Sequence, residues 1–144
     1  MRLAAGGRRP EVRPRLPLSL DWEDWYQLCC PPYDAADAHE RYEDRLALAT
    51  DLALGLCAEL GATATWFCLT DQAIRHPELL RRIVSQGHRI GLHGPDHARA
   101  FAFGRRAFAA RTRDGKARLE DLAGAPVLGF RAPEWSLRGT AEDY

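Results

Sequence analysis

The sequence predicts an α/β fold built on parallel strands. Short apolar runs with β character alternate with helical patterns in the order strand, helix, strand, helix, strand, helix, strand. Such alternation implies parallel strands joined by right-handed crossovers. Polar clusters also fall directly after the first, third and fourth of these strands, where parallel α/β folds gather their sites.

Residues 1–15, rich in Arg, Gly and Pro, read as a flexible leader. Leu16, Leu18 and Leu20 then alternate with Pro17 and Ser19, a short strand with proline near its start. The Cys-Cys-Pro-Pro-Tyr-Asp stretch within residues 29–39 predicts a loop. A helix is expected from Arg41 to Leu60, with Leu46, Ala49, Ala53, Leu56 and Leu60 on its buried face and Gly61 closing it. Thr63 to Leu69 is β-branched and aromatic and reads as a buried strand. Pro77 opens the next helix, whose apolar stripe is Leu79, Leu80, Ile83 and Val84 and which ends at Gly87. His88 to Leu92 is the third strand, Arg105 to Leu122 the third helix, and Val127 to Phe130 the fourth strand.

The chain has 144 residues, a size that fits one domain, and 46% hydrophobic content is enough for a sizeable core. Twenty basic residues balance twenty acidic ones, which weighs against nucleic acid or an anionic membrane as the main partner. No apolar run approaches the ~18 residues of a membrane span. Gly6, Gly7, Pro10, Pro14 and Pro17 interrupt any signal-peptide core, so the expected location is cytoplasmic. Cys29, Cys30, Cys57 and Cys68 form no Cys-x-x-Cys pair, and reduced thiols are the expectation.

The polar cluster after the third strand, His93-Gly94-Pro95-Asp96-His97, carries the sharpest chemical signal. Histidines at i and i+4 share one face of a helical turn, and Pro95 suits the first turn of such a helix. Two histidines and a carboxylate with open positions for water form a common catalytic zinc arrangement. Asp21, Glu23 and Asp24 supply carboxylates between Trp22 and Trp25, and close carboxylates can divide the work, one binding metal and one acting as base. Arg131 follows a buried strand and can orient a carboxylate through two hydrogen bonds. Trp25, Pro133 and Trp135 are candidates for substrate contact, the tryptophans by stacking on a sugar ring. His39, His76 and His88 read as structural.

In order, Asp21-Trp-Glu23-Asp24, Ala64-Thr-Trp-Phe67, His93-Gly-Pro-Asp-His97 and Arg131-Ala-Pro133-Glu-Trp135 resemble the NodB-homology polysaccharide deacetylases, carbohydrate esterase family four. His76-Pro-Glu-Leu-Leu80 and the run from Gly87 to His93 also look like that family. The resemblance spans roughly residues 16–137 and implies a distorted (β/α) barrel, here its first four strands, with residues 16–144 as the N-terminal part of the domain. It implies a divalent metal, Zn²⁺ foremost, on His93, His97 and either Glu23 or Asp24. Glu23 is favoured because an Asp-x-Glu spacing resembles a subgroup that includes peptidoglycan deacetylase-like, allantoinase-like and exopolysaccharide-associated members. Asp21 carries over as catalytic base and Arg131 as the group orienting it. Gly94 stands where the family frequently has Ser. The implied reaction removes N-acetyl groups from amino sugars of a glycan. The alternatives are an allantoinase-like hydrolase of linear amides, or a truncated remnant that only binds metal or glycan. The family's closing motifs, including the histidine that acts as acid, lie further along than Tyr144. The chain therefore reads as a first half, completed by self-association or by another chain.

Overall fold

A computed structural model of the protein describes residues 16–31 and 37–139. The proposed leader at 1–15, and residues 32–36 of the proposed loop, lie outside the described residues.

Four strands form one sheet in the order β1 (Leu18–Trp22), β2 (Ala64–Cys68), β3 (Arg89–Leu92) and β4 (Val127–Phe130). All three pairings are parallel, as the alternating pattern requires. Between the strands run α1 (Ala38–Arg41), α2 (Leu46–Glu59), α3 (Thr70–Arg75), α4 (Pro77–Ser85) and α5 (Arg105–Ala123). Short 3₁₀ turns at Ala100–Ala102 and Pro133–Trp135 follow β3 and β4.

The period of two along a strand divides the two faces of the sheet. Ala64, Trp66 and Cys68 of β2 are buried in one core with Leu46, Leu54 and Cys57 of α2, Leu80 and Ile83 of α4, and Leu119 of α5. Thr65 and Phe67 alternate onto the opposite, half-buried face. That face carries the chemistry. Gly91 in β3 makes room there, because a Cβ on it would fall 2.6 Å from the Phe67 ring and 3.2 Å from the Gly129 carbonyl oxygen.

Two helical expectations are corrected. The helix expected from Arg41 is split into α1 and α2. The start of α2 is fixed where Asp44 Oδ1 accepts from Leu46 N at 3.0 Å and Asp24 Oδ2 accepts from Arg45 N at 2.9 Å. The buried face of α2 is Leu46, Thr50, Leu54 and Cys57, whereas Leu56 and Leu60 are 55% and 67% exposed. Thr50 turns inward because its hydroxyl donates to the Leu46 carbonyl (2.7 Å) and accepts from Trp22 Nε1 (2.8 Å), so a polar residue holds a core position and the buried arc rotates. The helix α3 was not expected at all. The Pro77 helix behaves as expected, with Leu79, Leu80 and Ile83 buried.

Candidate active site

The strand ends bring Asp21, Glu23, His93, His97 and Arg131 together. Asp21 is on β1, Glu23 lies just past its end, and the histidines follow β3. The histidines are not on a helical turn, contrary to the i, i+4 expectation. Residues 93–97 form a loop in which Gly94 has φ of 98° and His97 φ of 59°. Glycine enters the left-handed region freely, which is what Gly94 supplies. The reversal brings the two rings to 5.2 Å between centroids. Pro133 closes over this turn, buried and 3.5 Å from where a Gly94 Cβ would stand.

Three ligand-type atoms converge. Glu23 Oε2 lies 3.2 Å from His93 Nε2 and 2.9 Å from His97 Nε2. Both histidines are buried and Glu23 is half-buried. His93 Nδ1 is 2.9 Å from the Arg131 carbonyl oxygen. A carbonyl only accepts, so Nδ1 carries a hydrogen and the neutral ring turns its Nε2 lone pair to Glu23. Glu23 Oε2 is itself a buried oxygen without a satisfying hydrogen bond. Lone pairs facing one another inside a protein repel unless a cation stands among them. Without a metal that cation is a proton. Burial pushes the Glu23 carboxyl up, but His93 and His97, once a proton on either ring is donated to it, outweigh burial through that hydrogen bond and their charge and bring it down to about 2. Burial pushes His93 down, but Glu23, the Arg131 carbonyl and Asp21 raise it above its ordinary value. Two imidazoles, one carboxylate and a fixed tautomer fit a divalent ion such as Zn²⁺.

The base candidate stands beside this trio. Asp21 Oδ2 is 4.0 Å from His93 Nε2. Its other oxygen accepts from Arg131 Nη1 at 2.5 Å, while Arg131 Nη2 donates to Ser19 Oγ at 2.6 Å. The guanidinium lies 4.1 Å over the Phe67 ring and 5.2 Å from that of Trp135. Arg131 thus serves twice, its carbonyl orienting His93 and its side chain orienting Asp21.

Asp24 is not in this group. Its carboxylate accepts from the backbone N–H groups of Trp25 (2.8 Å) and Arg45 (2.9 Å), which ties the loop after β1 to the start of α2. Of the two carboxylates left open by the sequence, Glu23 faces the histidines. Trp135 is 77% exposed and Trp25 is 45% exposed, its indole nitrogen donating to the Glu43 carbonyl. Pro133, by contrast, is buried under the loop. Sequence reasoning missed Ser19, Phe67, Cys29 and Glu134. Ser19 was legible by its two-residue offset from Asp21 on one strand face, and Phe67 by its pairing with Asp21 across β1 and β2. No local pattern marks Cys29 or Glu134. Cys29 N donates to Glu134 Oε1 at 3.1 Å, and Glu134 Oε2 accepts from Arg99 Nε at 2.6 Å. The four thiols are free, as expected, and burial and then Glu134 push that of Cys29 up to about 11. His88 is a structural histidine, its Nδ1 accepting from Ala64 N.

A parallel α/β sheet with a His₂-carboxylate trio at its strand ends and an arginine-held aspartate beside it defines a class, that of the barrel-type α/β proteins whose sites are built at strand ends. The chain belongs to the polysaccharide deacetylase family, whose model matches residues 34–143. The matched span includes His93, His97 and Arg131, while Asp21 and Glu23 precede it. No curated protein matches the chain. Among solved structures, it is similar to a protein of Mycobacterium smegmatis assigned as a polysaccharide deacetylase, with 24% identity and a TM-score of 0.71 over 85% of this chain and 44% of that one. It is also similar to a CE4-family pseudoenzyme from Bacillus anthracis, with 14% identity and a TM-score of 0.65 over 85% of this chain and 36% of the other. A third is the peptidoglycan deacetylase PdaC of Bacillus subtilis, with 18% identity and a TM-score of 0.57 over 67% and 47%. The chain thus spans about half or less of these structures' lengths, and its four-stranded sheet is an incomplete (β/α) barrel of the same type.

Proposed function

We propose that the protein is part of a metal-dependent hydrolase that removes N-acetyl groups from amino sugars of a glycan. The observation that carries this reading is the convergence of Glu23, His93 and His97 within 4.8 Å, next to an aspartate held by Arg131. Family membership supports the reaction class.

A bound divalent ion lowers the pKa of a coordinated water toward ~7 and polarises a carbonyl oxygen. Glu23, His93 and His97 would hold it. Asp21 offers Oδ2 to the proton of the attacking water, because Oδ1 is engaged by Arg131. Water adds to the acetamide carbon, the C–N bond breaks, and acetate and a free amine result. Arg131 keeps the Asp21 carboxylate aimed, and Trp135 and Trp25 present partly open aromatic surface for a sugar ring.

Calorimetric titration of the metal-free protein with Zn²⁺ tests the site. One ion is expected to bind, and His93→Ala combined with His97→Ala is expected to abolish binding. Stoichiometric binding retained in the double variant would overturn the assignment. Acetate release from N-acetylglucosamine oligomers tests the reaction class, and a preference for small linear amides would move it to the alternative.

A further inference from the structure

The two histidines of the trio are held from behind by different groups. His93 Nδ1 donates to a backbone carbonyl, a common partner for a metal-binding imidazole. His97 Nδ1 faces Cys29 Sγ at 3.7 Å, and the same sulfur donates its hydrogen to the His97 carbonyl oxygen at 2.9 Å. With its hydrogen committed to that carbonyl, the sulfur can offer Nδ1 only a lone pair. When a metal beside Glu23 takes the Nε2 lone pair, 2.9 Å from Oε2, the hydrogen of the neutral His97 ring stands on Nδ1 and the sulfur lone pair is its partner.

The position of Cys29 is itself fixed. Its backbone N–H donates to Glu134 Oε1, and the other Glu134 oxygen accepts from Arg99 Nε at 2.6 Å and Nη2 at 2.5 Å. Glu134 and Trp135 hold φ of 50° and 53°. Non-glycine residues rarely adopt this conformation without surrounding contacts that enforce it. The loop after β1, the loop after β3 and the turn after β4 are thereby tied together through one cysteine.

We infer that Cys29 is a positioning residue for the metal centre, a thiol clamp that fixes the orientation of His97 through paired contacts to its Nδ1 and carbonyl oxygen. This rests on the metal-site reading above. It assigns Cys29 no coordination of its own, in keeping with a ligand group among the described residues that consists of Glu23, His93 and His97.

The test compares Cys29→Ala and Cys29→Ser with the unaltered protein. Loss of an outer-shell partner weakens metal affinity about 10- to 100-fold. Zn²⁺ titration of Cys29→Ala should show a loss of that size, and Cys29→Ser, whose hydroxyl can both donate and accept, should recover most of it. Long-range ¹H–¹⁵N spectra of the Zn²⁺-loaded protein read the hydrogen on His97 Nδ1. It is expected to be protected from solvent exchange in the unaltered protein and in Cys29→Ser, and to exchange markedly faster in Cys29→Ala. Fast exchange of this hydrogen in the unaltered protein would overturn the inference even if the alanine variant failed to fold. So would unchanged affinity in Cys29→Ala, or an intense thiolate-to-metal charge-transfer band in the Co²⁺-loaded protein, which would make Cys29 a ligand. Absence of any metal binding in the unaltered protein would instead remove the metal-site reading and this inference with it.

Discussion

Replacing Arg131 with lysine separates two roles that one residue combines. The guanidinium donates to Asp21 Oδ1 at 2.5 Å and to Ser19 Oγ at 2.6 Å from two different nitrogens, and it lies 4.1 Å above the Phe67 ring. A lysine ammonium is a point charge that cannot reproduce this fork or lie flat on the ring. The main-chain carbonyl that holds His93 is untouched by the substitution. A hydrogen bond to a charged group contributes about 1.5–3 kcal/mol, and each 1.36 kcal/mol in a barrier is tenfold in rate, so loss of correct Asp21 placement should lower kcat by about 10- to 150-fold. The Zn²⁺ dissociation constant should stay within about threefold, because no ligand or ligand partner changes. Acetate release under saturating glycan and calorimetric Zn²⁺ titration measure the two quantities on one preparation. Equal losses in kcat and metal affinity would refute the division of labour, and full activity would refute the role given to the guanidinium.

The metal-free and metal-loaded proteins should respond to pH in opposite directions. His93 is raised above its ordinary value of 6.5, so its contribution to metal-free stability is complete below 6.5 and lost as pH rises through the raised value. Glu23 is lowered from 4.5 to about 2, so its contribution is present above 4.5 and lost as pH falls toward 2. Metal needs the imidazoles unprotonated. The rise in Tm on adding Zn²⁺ should therefore be small at pH 5 and grow through and above neutrality in thermal melts, and an equal rise at both ends would contradict it. Asp24→Ala should cost about 1–3 kcal/mol in denaturant unfolding by leaving the Trp25 and Arg45 N–H groups without their acceptor, with Zn²⁺ affinity little changed. A complete loss of Zn²⁺ binding in that variant would return Asp24 to the ligand set.

The parallel pairing followed from sequence because short apolar β runs alternate with helical patterns such as the stripe of α4. The candidates Asp21, His93, His97 and Arg131 followed because parallel strands deliver the residues after their ends to one edge, whatever the detailed loop path. The i, i+4 spacing of the histidines pointed to the right residues through the wrong local structure. A left-handed His97 and a positive-φ Gly94 are loop conformations selected by contacts such as those of Pro133 and Cys29, not by neighbours in the chain.

Which carboxylate joins the histidines was open in the sequence, where Glu23 and Asp24 are adjacent. Tertiary structure decided it, because the N–H of Arg45 at the head of α2 and that of Trp25 claim Asp24, leaving Glu23 to face the imidazoles. The same holds for the face of α2. Its sequence is apolar on more than one side, and only the indole of Trp22 selects Thr50 for the interior. Cys29 lies furthest from what sequence can reveal, since its contacts with His97 span 68 positions and carry no spacing. The sequence by itself determined the four strands, their parallel pairing and the residues eligible for chemistry, because these depend on local pattern and on strand ends. The tertiary structure alone decided which carboxylate faces the histidines, the turn that pairs them and the groups behind them, because those depend on which buried donors and acceptors meet once distant loops are packed.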